Sequence, residues 1–175
     1  MLSTITNTGR AAMAKAIAAR PLYLAWGSGD PAWDAMKKEE LPSLVDAEAL
    51  TNELGRRKPS VIRFCTPDDA GGIVIPVAST EEGVLQTARY SLSDTPTPYL
   101  YIRADYDFEN AANAVIREIG LFMDCQPKKG CPAGQFYFTP DEFEDRGMMF
   151  CGQILDKPMN RSVSVRQSVE FVQPI

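Results

Sequence analysis

One stretch decides the fold class that we assign: Asn113-Ala-Val-Ile-Arg-Glu-Ile-Gly-Leu-Phe-Met123. Successive side chains of a strand point to opposite faces, and both faces of this stretch carry apolar side chains. The pattern therefore predicts an interior strand. Gly120 lies within it, and a glycine inside a strand indicates a bulge or the close approach of another backbone.

Arg117 and Glu118 are the charged residues of this mostly apolar strand. Neighbours in a strand face opposite ways, so these two side chains do not pair with each other, and each needs another partner if it is buried. We therefore expect both to have a structural or interface role, together with Gly120 and Phe122. Substitution of Arg117 by alanine is expected to reduce solubility or assembly.

Length and composition are those of a folded protein with one substantial core. The chain has 175 residues, of which 45% are hydrophobic and 23% charged, and both values are ordinary for a globular domain. We expect a single domain over residues 1–175. The sequence shows no membrane-length apolar run and no signal-peptide layout at its start, so we expect synthesis in the cytoplasm and no membrane partner.

The charge balance argues against several classes of function. The net charge of −5 predicts repulsion from phosphate backbones, so we expect no nucleic-acid partner. The chain contains no histidine, which excludes histidine-based acid–base chemistry and histidine metal ligands. A short basic run at Arg56, Arg57 and Lys58 is interpreted as a solvated turn after a helix.

Three helices are expected. The longest runs from a cap at Thr6, Asn7 or Thr8 through Gly9–Arg20 and ends at Pro21. A second is predicted over Ala47–Leu54, capped by Ser43 or Asp46 and closed by Gly55. A short third helix follows Thr139, where Pro140 and Glu142 complete a capping box.

Runs of β-branched and aromatic residues between turn residues predict strands. Besides Leu22–Trp26 and the stretch quoted first, these runs are Val61–Cys65, Gly72–Val77, Val84–Tyr90, Tyr99–Ala104, Gln135–Phe138, Met148–Leu155 and Ser162–Gln173. The predicted fold class is α+β, a mostly antiparallel sheet with an N-terminal helix and one or two short helices.

The loop Gly27–Asp34 is rich in glycine and proline, follows Trp26 directly and contains Trp33. Its glycine pair has neither the spacing of a dinucleotide fingerprint nor the lysine of a P-loop. We interpret it as a packed or interface loop that the two tryptophans anchor. No cofactor is expected.

The four cysteines do not have the spacing of a common zinc site. A disulfide between Cys125 and Cys131 is geometrically possible and would form only in oxidising surroundings. Cys65 and Cys151 are expected to be buried or inert thiols. No catalytic residue and no metal ligand is predicted, since the carboxylates are best interpreted as solvated turns.

Three stretches together resemble the N-terminal domain of bacteriophage tail-fibre or tail-collar proteins, which attaches fibres to the baseplate of a contractile tail. Ile5–Ala16 is similar to the opening helix of that family, and Leu22–Asp30 resembles its strand and glycine-rich loop. The most specific match is Ile116-Arg-Glu-Ile-Gly-Leu-Phe122, which resembles the family strand "[IV]-R-E-[IV]-G-L-[FY]".

The resemblance implies a structural virion protein and not an enzyme. It implies partners among tail or baseplate proteins and the tail fibre, a homo-oligomer, and a location in the virion after assembly in the host cytoplasm. Because the sequence stops at Ile175, we expect an adaptor or baseplate-periphery subunit and not a fibre, with a possible insertion around 124–147. The alternatives are a receptor- or glycan-binding module and a cell-wall-cleaving tail enzyme.

Overall fold

The computed structural model describes residues 3–77 and 86–175. It is an α+β fold dominated by antiparallel sheet, which confirms the predicted fold class. In chain order the elements are α1 (Asn7–Ala18), β1 (Leu22–Gly27), β2 (Glu53–Arg57), β3 (Val61–Pro67), β4 (Ile73–Val77), β5 (Gln86–Ser93), β6 (Tyr99–Tyr106), β7 (Val115–Met123), β8 (Gln126–Pro127), β9 (Tyr137–Phe138), β10 (Phe143–Asp145), β11 (Met148–Asn160) and β12 (Gln167–Pro174). Three 3-10 turns lie at Pro31–Ala35, Lys38–Glu40 and Pro140–Glu142.

Helix α1 begins where the sequence predicts. The Thr6 hydroxyl oxygen accepts a hydrogen bond from the Gly9 N–H at 3.1 Å, which satisfies a free amide of the first turn. The helix ends at Ala18, two residues before the predicted end. Ala14 is its buried residue, so most of its surface is exposed.

The chain divides into two compact units, each made from more than one segment. The first comprises Met1–Ala19, Ser60–Arg103 and Val169–Ile175. It is built on a five-stranded sheet with the order β12-β6-β3-β5-β4. Its core contains Cys65, Ile75 and Tyr101. Val84 and Leu85, the first residues of a predicted strand, lie outside the described residues.

The second unit comprises Arg20–Pro59 and Ala104–Ser168. Its sheet has the order β11-β7-β1-β2-β9, so β7 pairs on both sides, with β11 and with β1. The register with β1 runs from Leu22 opposite Met123 to Gly27 opposite Glu118. The prediction of an interior strand at this position is confirmed.

Gly120 is crowded, but by side chains and not by another backbone. It lies in regular register, opposite Ala25 of β1 and Gly152 of β11. A Cβ atom at Gly120 would lie 3.1 Å from a methyl carbon of Leu50 and 3.1 Å from the Phe122 ring. Glycine therefore lets the Leu50 side chain pack down onto the middle of β7.

The predicted helix over Ala47–Leu54 is wrong. Residues 45–52 form turns, and β2 begins at Glu53. Tertiary contacts override the helical propensity here. The Thr51 and Asn52 amides donate to the Glu118 carboxyl group, and β2 pairs with β1 as an antiparallel neighbour. The predicted short helix after Thr139 is present as a 3-10 turn, in which the Thr139 N–H donates to Glu142.

The interpretation of Arg56 as part of a solvated turn is also wrong. Arg56 lies on β2, is 1% exposed, and forms two hydrogen bonds with the Glu53 carboxylate at 2.6 and 2.9 Å. Its guanidinium carbon lies 3.6 Å from the centre of the Phe122 ring. It also donates to the Arg146 carbonyl and to the Cys125 sulfur. Burial alone would lower the pKa of Arg56, but the bonds and charge of Glu53 raise it above its ordinary value.

We predict that Arg56→Met destabilises the second unit by about 3–5 kcal/mol, because it leaves the Glu53 carboxylate buried without its cation. Urea unfolding followed by tryptophan fluorescence measures this directly, since Trp26 and Trp33 both lie in that unit.

The matched control is Arg20→Met, which breaks a more exposed ion pair with Asp124 in the same unit. Exposed pairs contribute roughly 0–1 kcal/mol. Equal losses of stability in the two variants would contradict the importance that we assign to the buried pair.

Candidate functional site

The connection from β1 to β2 is far longer than its geometry requires. These strands are antiparallel neighbours, with Gly27 opposite Glu53, so a tight turn could join them. Instead, 25 residues intervene, with two short 3-10 turns as their regular structure. We call residues 28–52 the excursion. Loops of this length with so little regular structure are uncommon in compact domains and are usually functional.

Glu118 holds the end of the excursion against β7. The residue is 0% exposed, and its two carboxyl oxygens accept the backbone N–H groups of Thr51 and Asn52 at 3.1 and 3.0 Å. Gly27, directly opposite on β1, leaves room for the carboxyl group. A Cβ atom there would lie 2.5 Å from a Glu118 oxygen and 2.8 Å from the Asn52 carbonyl oxygen.

Arg117 holds the beginning of the excursion. Its guanidinium donates two hydrogen bonds to the Asp34 carboxylate, both at 2.8 Å, and a third to the Ser28 carbonyl at 3.0 Å. The Asp34 bond raises the pKa of Arg117, and the same bond lowers the pKa of Asp34. The bidentate geometry fixes orientation as well as distance.

The two ends of the excursion are also tied to each other. The Ser28 N–H donates to the Asn52 carbonyl at 2.9 Å, and the Asn52 side-chain amide donates to the Gly29 carbonyl at 2.9 Å. Gly29 has φ +57°, a conformation that favours glycine, and it lies against the Trp33 ring. We call this arrangement the junction. Its residues are Gly27, Ser28, Gly29, Trp33, Asp34, Thr51, Asn52, Arg117 and Glu118.

The structure brings three of the predicted site residues together in the junction: Trp33, Arg117 and Glu118. Trp26 lies elsewhere, fully buried and stacked on Tyr106 with ring centres 3.4 Å apart. Trp26 is therefore a core residue of the second unit in this chain. Phe122 supports the buried guanidinium of Arg56.

Sequence reasoning missed the partners of the two charged residues. Asp34 lies 83 positions from Arg117, and no local pattern links them. The amides of Thr51 and Asn52 are backbone groups that any residue carries, so composition cannot indicate them. Gly27 and Gly29 did give a signal, since a glycine pair at the end of a strand marks a place where other groups approach closely.

The junction fixes the conformation of the excursion, and the charged groups that it takes from β7 are already bonded within the chain. Both oxygens of Glu118 and all three donor nitrogens of Arg117 are engaged by groups of the same chain. Across residues 3–77 and 86–175, no group of three or more cysteine, aspartate or glutamate side chains is placed to hold a metal ion. Within the same ranges, no helix is long and apolar enough to cross a membrane.

Comparison with known proteins decides the family. The model of the family described as baseplate wedge 3 tail fiber network component matches residues 2–175. The chain belongs to this family. It is therefore a structural component of a phage tail, located at the baseplate and its tail-fibre network. No protein of curated function matches the chain.

Membership of the tail fiber network family agrees with the broad part of the resemblance found in the sequence, a phage baseplate and tail-fibre protein. The family is a structural one, which favours a protein without enzymatic activity. The strand that carried the resemblance, Ile116–Phe122, supplies two of the three charged residues of the junction, Arg117 and Glu118. In this member of the family, that motif is used to fix the excursion on the sheet.

The cysteines of this baseplate protein are free thiols in the structure. Cys125 is buried and packs in the core, and Cys131 packs against the same cluster. The disulfide that the sequence allows between Cys125 and Cys131 stays a prediction. Burial raises the pKa of Cys65 and of Cys151 to about 11, which makes both thiols poor nucleophiles at neutral pH.

We predict that the pair of Arg117 with Asp34 stabilises this protein in a pH-dependent way. The folded pKa of Asp34 lies below its unfolded value of about 3.9. The contribution is therefore present above that unfolded value and is lost as the pH falls through the folded value. The Tm of wild type should exceed that of Asp34→Asn at pH 7, and the difference should shrink towards about pH 3.

The control for this pH series is Glu109→Gln, which removes an exposed carboxylate of the same unit that makes no hydrogen bond or ion pair within the described residues. Its Tm is expected to stay close to that of wild type throughout. A difference between wild type and Asp34→Asn that does not depend on pH would contradict the ion pair.

Proposed function

We propose that this tail protein is an adaptor at the periphery of the baseplate, which links tail fibres to the baseplate. The observation that carries the proposal is the junction, where the family strand is used to hold a long, exposed excursion in one conformation. A linking subunit needs such preformed surfaces, because ordering a loop at the moment of binding costs affinity.

The chemistry of the described residues supports an architectural role over the alternatives. The charged residues buried in the second unit bond to groups of their own chain, as Arg56 and Glu118 illustrate. A cell-wall-cleaving enzyme would need carboxyl groups that are placed to act on a substrate. No feature of residues 3–77 and 86–175 favours a receptor- or glycan-binding module.

We further propose that the subunit assembles in multiple copies, as a homo-oligomer or at symmetry-related positions, in the host cytoplasm before incorporation into the virion. We also propose that the protein attaches fibres in the manner of tail-collar proteins. In the same proposal, residues 1–175 form a single domain, and the residues around 124–147 are an insertion in it. Each compact unit is formed from separated segments, so neither could be removed as one piece of sequence.

The proposal predicts that gradient-purified particles contain the protein at a fixed, low ratio to the major tail proteins. Quantitative mass spectrometry measures that ratio, which also limits the possible symmetry. Particles grown without the protein, from a nonsense allele in a non-suppressing host, should retain sheath and central baseplate but lose their fibres in electron micrographs.

Two results would contradict the adaptor role. Absence of the protein from clean particles would indicate a factor needed only during assembly. Fibres that remain attached to particles lacking the protein would show that another subunit makes the link.

A further inference from the structure

The outer part of the excursion exposes large apolar side chains. Val45 is 89% exposed and Met36 is 42% exposed. Val45 is the most exposed large hydrophobic residue in the described part of the chain. Single exposed apolar residues are common on protein surfaces. What distinguishes these two is their position on a segment whose base the junction holds in place.

Local hydrogen bonds within the excursion also order its backbone. The Asp30 carboxylate accepts the Ala32 N–H at 2.8 Å, and the Glu40 carboxylate accepts the Lys37 N–H at 2.9 Å. The Ser43 hydroxyl accepts the Val45 N–H at 3.3 Å. The segment is therefore largely shaped before it meets any partner, which lowers the entropy lost on binding.

The excursion also accounts for most of the net negative charge of the protein. Its 25 residues hold six carboxylates and two lysines, a net −4 of the total −5 of the chain. Glu39, Asp46 and Glu48 are exposed and make no hydrogen bond or ion pair with any residue that the structure describes. Asp46 directly follows Val45 in the sequence, and a partner that buries the exposed apolar side chains would need positive charges to complement these carboxylates.

We propose that the excursion is the segment by which this subunit docks on a neighbouring tail protein, and that the docking surface of that protein is an apolar depression rimmed by lysine or arginine. Val45 and Met36 enter the depression, and the three open carboxylates face the basic rim. This inference rests on the proposed role as a structural adaptor. The charge also determines what the excursion does not bind, since an acidic protein surface would repel it.

The test is an add-back experiment on particles that lack the subunit. Purified full-length protein is incubated with these particles, and the bound fraction is measured after gradient sedimentation. The test variant carries Glu39→Lys, Asp46→Lys and Glu48→Lys. The control variant carries Asp69→Lys, Glu109→Lys and Glu144→Lys, which changes three other exposed carboxylates and gives the same net charge.

We expect the test variant to bind at least about tenfold less than wild type at low salt, and the control variant to bind like wild type. A further variant, Val45→Ser with Met36→Ser, should also bind weakly, whereas Leu92→Ser, at an apolar position elsewhere that is 50% exposed, should not. Unchanged Tm values in all variants would show that they fold. Equal binding of test and control variants would overturn the inference.

A photo-crosslinking amino acid at position 45 identifies the partner in wild-type particles. The inference predicts a crosslink to a lysine- or arginine-rich peptide of a different tail protein. A crosslink to a second copy of this chain, or to an acidic segment, would overturn it. If wild-type protein itself fails to bind the depleted particles, the proposed adaptor function fails. If wild type binds and the excursion variants bind equally well, only the docking assignment fails.

Discussion

The position of the excursion against the sheet of the second unit depends on a buried carboxyl group that needs hydrogen-bond donors. Glu118 lies on an interior strand, where an unsatisfied polar group would cost several kcal/mol. Its donors are two consecutive backbone amides, those of Thr51 and Asn52, which must therefore lie against the strand. That requirement fixes where the excursion ends, and β2, which begins at the next residue, pairs with β1.

A second buried polar group stabilises the same sheet from its other end. The ion pair of Arg56 with Glu53 lies on β2, immediately after the excursion, and its guanidinium covers the Phe122 ring of β7. The Arg146 carbonyl, from the turn before β11, accepts from the same guanidinium. Strands β2 and β7, which both pair with β1, are thus also joined to each other by a side-chain contact. These contacts stabilise the strands between which the excursion runs.

Patterns carried by neighbouring residues were predictable from the sequence. The alternation in Val115–Met123, the cap at Thr6 and the capping box at Thr139 all appear in the structure near the expected positions. The helix over Ala47–Leu54 was not, because its amides bond to a side chain that is more than 60 positions away in sequence. The burial of Arg56 was hidden for a similar reason, since a run of three basic residues on the surface and a buried ion pair have the same local composition.

The junction was also predictable only in part. Arg117 and Glu118 stood out because charges inside an apolar strand need partners, but the partners became visible only in three dimensions. The family match then gives the junction a setting, the baseplate and tail-fibre network of a phage. In that setting a motif without catalytic groups has a physical use, which is to hold one long segment in a single conformation.

The most direct test of this account is hydrogen–deuterium exchange of wild type and Glu118→Ala, followed peptide by peptide. The account predicts faster exchange confined to residues 28–52, with strands β1 and β7 still protected at neutral pH. Unchanged exchange in the excursion would show that Glu118 does not hold it. A uniform increase over the second unit would show that Glu118 supports the whole fold and has no special relation to the excursion.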